Sequence, residues 1–219
     1  MNVIEAIKTR RSIRAYLSKP VPREIINEIL EIAVKAPSAI NTQPWEFTVV
    51  TGEVLDKIKQ ENVEKFLAKT ALDERASIYT GKYKERQVQL AKDIFAIMGI
   101  KREDRAKRLE WTKRGFRFFD AQAAIIVSKD KSLEGSWSVF DCGAVSQTIC
   151  LAAMNYGIGT CIEDQGVTYE DVIRKHTGIP ENKEIIIGIA LGYPDPDFPV
   201  NKLISRRESL DNLTTWLGF

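Results

Sequence analysis

A chain of 219 residues, 44% hydrophobic and 28% charged, is long enough to bury a substantial core in one large domain or two small ones. Its formal net charge of only +2 argues against a dedicated nucleic-acid binder, because affinity for a phosphate backbone demands a basic domain. No apolar run approaches the length of a membrane span, and the three cysteines (Cys142, Cys150, Cys161) form no CxxC pair, so a disulfide framework and a zinc site are disfavoured and reduced thiols in a cytoplasm are expected.

Asn2, with Glu5 three positions later, has the capping-box spacing of a short first helix. That helix runs into KTRRSIRAYLSKPVPRE, residues 8–24, where six basic residues (Lys8, Arg10, Arg11, Arg14, Lys19, Arg23) precede the first acid, Glu24. A secretory leader would continue with about seven or more apolar residues. Here SIRAYLSKPVP follows instead, so the basic run calls for a local partner. A second helix is expected from Pro22, a good first-turn residue, with Ile25, Ile26, Ile29, Leu30, Ile32 and Ala33 in a helical stripe.

WEFTVVT, residues 45–51, reads as a strand, and residues 53–67 as a helix. From Thr80 to Arg117 the chain is polar and helix-prone, and residues 82–117 carry twelve Lys/Arg against five Asp/Glu. AAIIVSK, residues 123–129, is a second strand. The charge-poor stretch 138–157 is a long helix with many small residues, expected to be buried on most sides at the centre of the fold or at a subunit interface. A short strand near 159–163, a helix near 168–176 and an apolar strand at 185–192 complete the pattern. One α+β domain over 1–219, with a basic helical insertion at about 68–117, is the simplest organisation.

The common catalytic templates are missing. GxSxG, the P-loop, HExxH and GxGxxG are all absent, and GIGTC at 157–161 has only the first two glycines of the last. A catalytic triad would rest wholly on His176, which sits near a helix end where a histidine reads better as a C-terminal cation; that single histidine cannot supply a metal cluster either. Four separated segments carry chemistry together. Arg10, Arg11, Ser12 and Arg14 offer guanidinium forks and a hydroxyl suited to a phosphate. APSAINTQPW, 36–45, brings Asn41 and Gln43 into a loop where they either read the edge of a planar heterocycle or stabilise the loop itself. GTCIEDQG, 159–166, ends a strand with backbone amides free to meet a ring, and Arg206 with Arg207 forms a second candidate phosphate clamp. Taken singly, each also reads as ordinary surface or turn.

In this order, RRSIRAY, APSAINTQPWEF, DCGAVSQTICLAAMNYGIGTC and ALGYP resemble the nitroreductase family of flavin enzymes over nearly the whole chain. The segments YTGKYKERQ and FFDAQ further resemble the branch that includes nitrobenzoate reductases. The resemblance implies an α+β fold with a central, mostly antiparallel sheet flanked by helices, and an intertwined homodimer that binds FMN noncovalently at the subunit interface. By motif position, Arg10, Arg11 and Ser12 would hold the phosphate and ribityl end, and Arg14 would approach the pyrimidine side. Pro37, Ser38, Ala39 and Asn41 would line the ring from the partner subunit. Ile162, Glu163 and Asp164 would pass the flavin's central edge with a backbone N–H near N5, Arg206 and Arg207 would close on the phosphate, and Gln147 belongs to the motif of the long helix. Two departures stand out: Asp164 replaces a frequent glycine after the glutamate, and no proline follows Arg206–Arg207.

The implied activity is FMN-dependent reduction of nitroaromatics, quinones or related acceptors by NADH or NADPH in ping-pong turnover. The flavin carries the electron chemistry, so no protein nucleophile and no metal are needed. The basic insertion reads equally as a lid attracting anionic aromatics and as a solvated helix pair, and Trp45 and Trp216 read as packing residues. Competing readings are a reductive dehalogenase or flavin-fragmenting enzyme of the same fold, a non-catalytic FMN-binding protein, and, least favoured, a nucleic-acid module. A small aromatic acceptor is expected as substrate, with neither nucleic acid nor membrane as partner.

Overall fold

The computed structural model describes residues 2–69 and 79–219. The part of the expected insertion at 70–78 lies outside the described residues. The sheet has four strands in the order β1-β2-β4-β3: β1 (Glu46–Thr51), β2 (Ala123–Asp130), β3 (Gly159–Glu163) and β4 (Lys183–Gly192), and every neighbouring pair is antiparallel. The helices are α1 (Val3–Thr9), α2 (Arg23–Ala33), α3 (Gly52–Lys69), α4 (Gly81–Ile97), α5 (Arg105–Phe116), α6 (Ser136–Met154) and α7 (Glu170–Thr177).

The two central strands are apolar on both faces because both faces are covered. Alternate residues of β2 point to opposite sides. Ala124 and Ile126 join Leu55 and Ile58 of α3, Phe116 of α5 and Val172 and Ile173 of α7 in one core cluster. Ala123, Ile125 and Val127 join Ile26, Ile29 and Ala33 of α2 and Cys142, Val145 and Ile149 of α6 in the other. The result is three layers with the sheet in the middle. A bulge falls between Val127 and Ser128 of β2.

Local signals explain the ends of several elements. Asn2 Oδ1 accepts the Glu5 N–H at 2.9 Å and starts α1; Asp104 Oδ1 accepts the Lys107 N–H at 3.1 Å and starts α5. Pro22 sits one position outside α2, in extended backbone, rather than in its first turn. α7 stops at Gly178, whose φ of +72° is the left-handed cap that glycine adopts without strain. His176, in the last turn of α7, has Nε2 2.9 Å from Glu61 Oε1 on α3, so it ties two helices together.

Two expectations are met only in part within one chain. α6 is buried on one face only: Asp141, Cys142, Val145, Ile149 and Ala153 face the core, while Trp137, Phe140, Gly143 and Gln147 are exposed. The sequence called for burial on most sides, at the centre of the fold or at a subunit interface, and one chain supplies a neighbour for only one side. Trp45 is buried as expected, but Trp216 is 64% exposed, touching the Phe219 ring edge-on with centroids 5.5 Å apart. All three cysteines are buried and unpaired, and no helix among the described residues is long and apolar enough to cross a membrane.

Candidate active site

The basic run is stitched to the start of β3. Beyond α1 the chain extends with alternating burial: Ile13 and Ala15 go inward, and Ser12, Arg14 and Tyr16 are half-buried. Ser12 bridges Thr160 in parallel register, the Ile13 N–H donates to the Thr160 carbonyl at 2.9 Å, and the Leu17 N–H to the Tyr193 carbonyl at 2.9 Å. Gly159 permits this approach: a Cβ there would stand 2.6 Å from Ile13 Cγ1 and 2.7 Å from Pro194 Cγ.

Arg10 and Arg11 thereby face a cleft of about 240 Å³ whose opposite wall is Met154 and the 157–160 backbone. Two arginines and no acidic residue are among its lining residues, so it is electrostatically suited to an anion. Arg14 stands beside it. Its N–H donates to Asn201 Oδ1 at 2.8 Å, its carbonyl accepts from Arg114 Nη2 at 3.1 Å, and its Cζ lies 5.9 Å from the Phe119 ring centroid.

At the end of β3 the side chains alternate again: Ile162 and Asp164 are exposed and Glu163 is buried. Glu163 Oε2 accepts the Gly166 N–H at 2.8 Å, while Oε1 is buried with no hydrogen-bond partner. Burial pushes its carboxyl up to about 8, because the charged form loses its hydration. Asp164 has φ −99° and ψ −25°, an ordinary conformation for any residue. The close approach falls at Gly166, where a Cβ would meet Glu163 Oε1 at 2.5 Å and Phe118 Cζ at 2.6 Å.

The 37–43 loop is pinned elsewhere. Ser38 Oγ accepts the Gln43 N–H at 2.9 Å, the Ala39 N–H donates to Asp141 Oδ2 at 3.1 Å, and Asn41 takes φ +61°. Pro37, Ile40 and Asn41 are exposed. Asp141, under this loop, and Met154, in the wall of the Arg10 cleft, stand at opposite parts of α6, about 20 Å apart at 1.5 Å per residue. One chain therefore does not bring the loop and the basic run together. Gln147 points away from the core on the exposed side of α6.

Arg206 and Arg207 do not line the Arg10 cleft. Arg206 Nη2 is 3.3 Å from Asp93 Oδ1 on α4, and Arg207 Nη1 donates to Ser205 Oγ at 2.7 Å. The next residue, Glu208, pairs with Arg86 of α4 at 2.5 Å. Much of the insertion's charge is likewise paired: Lys113 and Arg117 with Glu110, and Arg114 and Arg117 with Asp120. Buried Asn62 joins the insertion to the turn behind β3, its Nδ2 donating to Phe116 O at 3.2 Å and Gly166 O at 2.7 Å. Sequence reasoning missed Asn62, Arg114 and Asn201. Only Arg114 had a signal, its place in a basic stretch, and that signal is shared by eleven neighbours.

Comparison with known proteins gives a consistent picture. Residues 7–193 match the model of the family described as the Nitroreductase family. The chain is 32% identical to the chloronitrobenzene nitroreductase of Comamonas testosteroni, with 97% of this chain and 96% of that protein covered. It is 31% identical to the 4-nitrobenzoate reductase of Pseudomonas putida, covering 97% and 94%. Among solved structures, the FMN and NADPH-dependent nitroreductase NfnB from Sphigopyxis sp. strain HMH superposes with a TM-score of 0.93 at 28% identity, covering all of both chains. The FMN-dependent nitroreductase NfnB from Mycobacterium smegmatis, in complex with NADPH, superposes with a TM-score of 0.89 at 28% identity, covering 98% of each.

Proposed function

Because this chain belongs to the nitroreductase family, we propose that it is an FMN-dependent oxidoreductase that uses NAD(P)H to reduce nitroaromatics, quinones or related aromatic acceptors. The observation that carries the reading is the cleft at the start of β3, lined by two arginines and by no acidic residue. Those residues fit the phosphate of FMN, whose charge demands paired donors and an absence of acids. When bound, FMN supplies the chemistry, carrying two electrons from the nicotinamide to the acceptor.

The protein's part is binding, orientation and charge. Arg10, Arg11 and Ser12 hold the phosphate and ribityl end. Arg14 offsets negative charge that develops at the pyrimidine edge. The backbone at 162–164, stiffened by the Glu163–Gly166 hydrogen bond, presents its amides to the ring. Arg207, and with it Arg206, closes on the phosphate in the assembled protein, at the expense of the Arg206–Asp93 pair.

A homodimer completes the site. The exposed stripe of α6 (Trp137, Phe140, Gly143, Gln147) is mostly apolar or small, which suits close packing of a second copy. The Pro37, Ser38, Ala39 and Asn41 loop of that copy then lines the ring, which answers the distance that separates the two halves within one chain. The whole chain 1–219 acts as one FMN-binding unit with 68–117 as its insertion. Three buried thiols without a disulfide suit a reducing, cytoplasmic setting.

The test is spectroscopic. The purified protein is yellow, acid releases free FMN, NAD(P)H bleaches the flavin band without oxygen, and a nitroaromatic restores it. Because both substrates use one ring face in turn, double-reciprocal plots are parallel. A colourless protein that takes up no added FMN, or intersecting lines with both substrates in one complex, refutes the reading.

A further inference from the structure

Both backbone polar groups of Arg14 are gripped by side chains from distant parts of the chain. The N–H goes to Asn201 Oδ1 at 2.8 Å and the carbonyl to Arg114 Nη2 at 3.1 Å. Asn201 is buried, and its amide nitrogen donates to Ala15 O at 2.8 Å and Asp195 O at 2.9 Å. The Arg14–Ala15 backbone therefore cannot turn without breaking two hydrogen bonds to one side chain, which the Asp195 carbonyl holds in turn.

Arg114 is itself immobilised. Its Nη1 lies 3.0 Å from Asp120 Oδ2, its Nη2 also reaches Phe119 O at 3.5 Å, and its guanidinium stands 4.8 Å from the Phe198 ring centroid. Its Nε is buried with no hydrogen-bond partner. Leaving a guanidinium nitrogen unpaired in the interior is costly, and an apolar side chain of similar size would fill the space without that cost. What the guanidinium adds is its fork of donors, and one tine of that fork holds Arg14.

An arginine on a free backbone loses conformational entropy each time it takes one position. A backbone clamped at N–H and carbonyl has lost that freedom before any ligand arrives. We propose that Arg114 and Asn201 are positioning residues for Arg14, fixing its guanidinium where it offsets negative charge on the reduced cofactor. The inference rests on the placement of Arg14 beside FMN under the proposed function.

The test is a redox titration of the FMN-loaded, full-length protein, with thermal melting run in parallel. Arg114→Lys keeps a cation beside Asp120 but loses the planar fork. Asn201→Ala changes no charge. Each is expected to reduce the preference for reduced over oxidised FMN about tenfold, a potential lower by about 30 mV for a two-electron couple. In an Arg14→Gln background the same substitutions produce no further shift, because the group they act through is gone. A shift of equal size in both backgrounds overturns the proposal. So does an unchanged potential in the variants while Arg14→Gln alone lowers it. An unchanged potential in Arg14→Gln itself overturns the placement of Arg14 at the flavin, and the clamp's role falls with it. Should Asn201→Ala fail to fold, Arg114→Lys carries the test alone.

Discussion

The Ile13 backbone N–H donates to the Thr160 carbonyl at 2.9 Å, joining the basic N-terminal segment to a strand far along the chain. The seam lies at the start of β3, beside the Arg10–Arg11 cleft, and the 162–164 backbone follows at the other end of that strand.

Gly159→Ala attacks that seam directly. Its Cβ would stand 2.6 Å from Ile13 Cγ1, and Ile13 is buried with little room to give. Overpacking of this kind costs about 1–3 kcal/mol. Denaturant melts of the apoprotein should show that loss, and FMN titration should show weaker binding, since Arg10 and Arg11 move with Ile13. Wild-type behaviour in both measurements would mean that the seam does not hold the cleft in shape.

Arg11→Ala tests the phosphate assignment. A hydrogen bond to a charged group contributes about 1.5–3 kcal/mol, so FMN affinity should fall roughly ten- to hundredfold. Riboflavin, which lacks the phosphate, should bind variant and wild type alike. Equal losses for both ligands would place Arg11 elsewhere.

Glu163 makes stability depend on pH in an unusual direction. Burial raises its carboxyl to about 8 from an ordinary 4.5, so the folded protein keeps a proton that the unfolded chain releases. The contribution is fully present below about 4.5 and is lost as pH rises through about 8. Glu163→Gln stays neutral, keeps an acceptor for the Gly166 N–H, and should gain on wild type as pH climbs from 5 to 9. Melting temperatures at those two values decide it, and a constant gap between the proteins would show that Glu163 is ionised throughout.

The tail should stabilise the assembly rather than the single chain. Leu210, Leu213, Trp216, Leu217 and Phe219 are all more than half exposed, an arrangement that wastes apolar surface unless a second copy covers it. Deleting residues 209–219 should shift sedimentation equilibrium toward monomer while leaving helix content nearly intact. An unchanged dimer after deletion would assign the interface to α6 alone.

Much of the architecture was readable from spacing. The strand at 159–163 and the long helix, expected at 138–157 and found as α6 at Ser136–Met154, follow from runs of apolar residues and their flanking glycines, and α1 from Asn2 and Glu5. The positive charge of Arg10 and Arg11 was equally plain, because charge and fork geometry are properties of the residue itself. For α6 the sequence left the centre of the fold and a subunit interface both open, and within one chain only one face of the helix is buried.

The groups that hold the site in shape could not be read this way. Glu163 carries the formula of any surface glutamate, and only the packing of Phe118 and Gly166 around it removes its water. Asn201 and Arg114 sit among residues of similar polarity, yet each meets the backbone of Arg14 across a large stretch of intervening chain. Periodicity and capping are encoded by near neighbours, because they depend on local backbone geometry. Desolvation and long-range hydrogen bonds depend on which distant atoms arrive at the same point, and that is a property of the folded path.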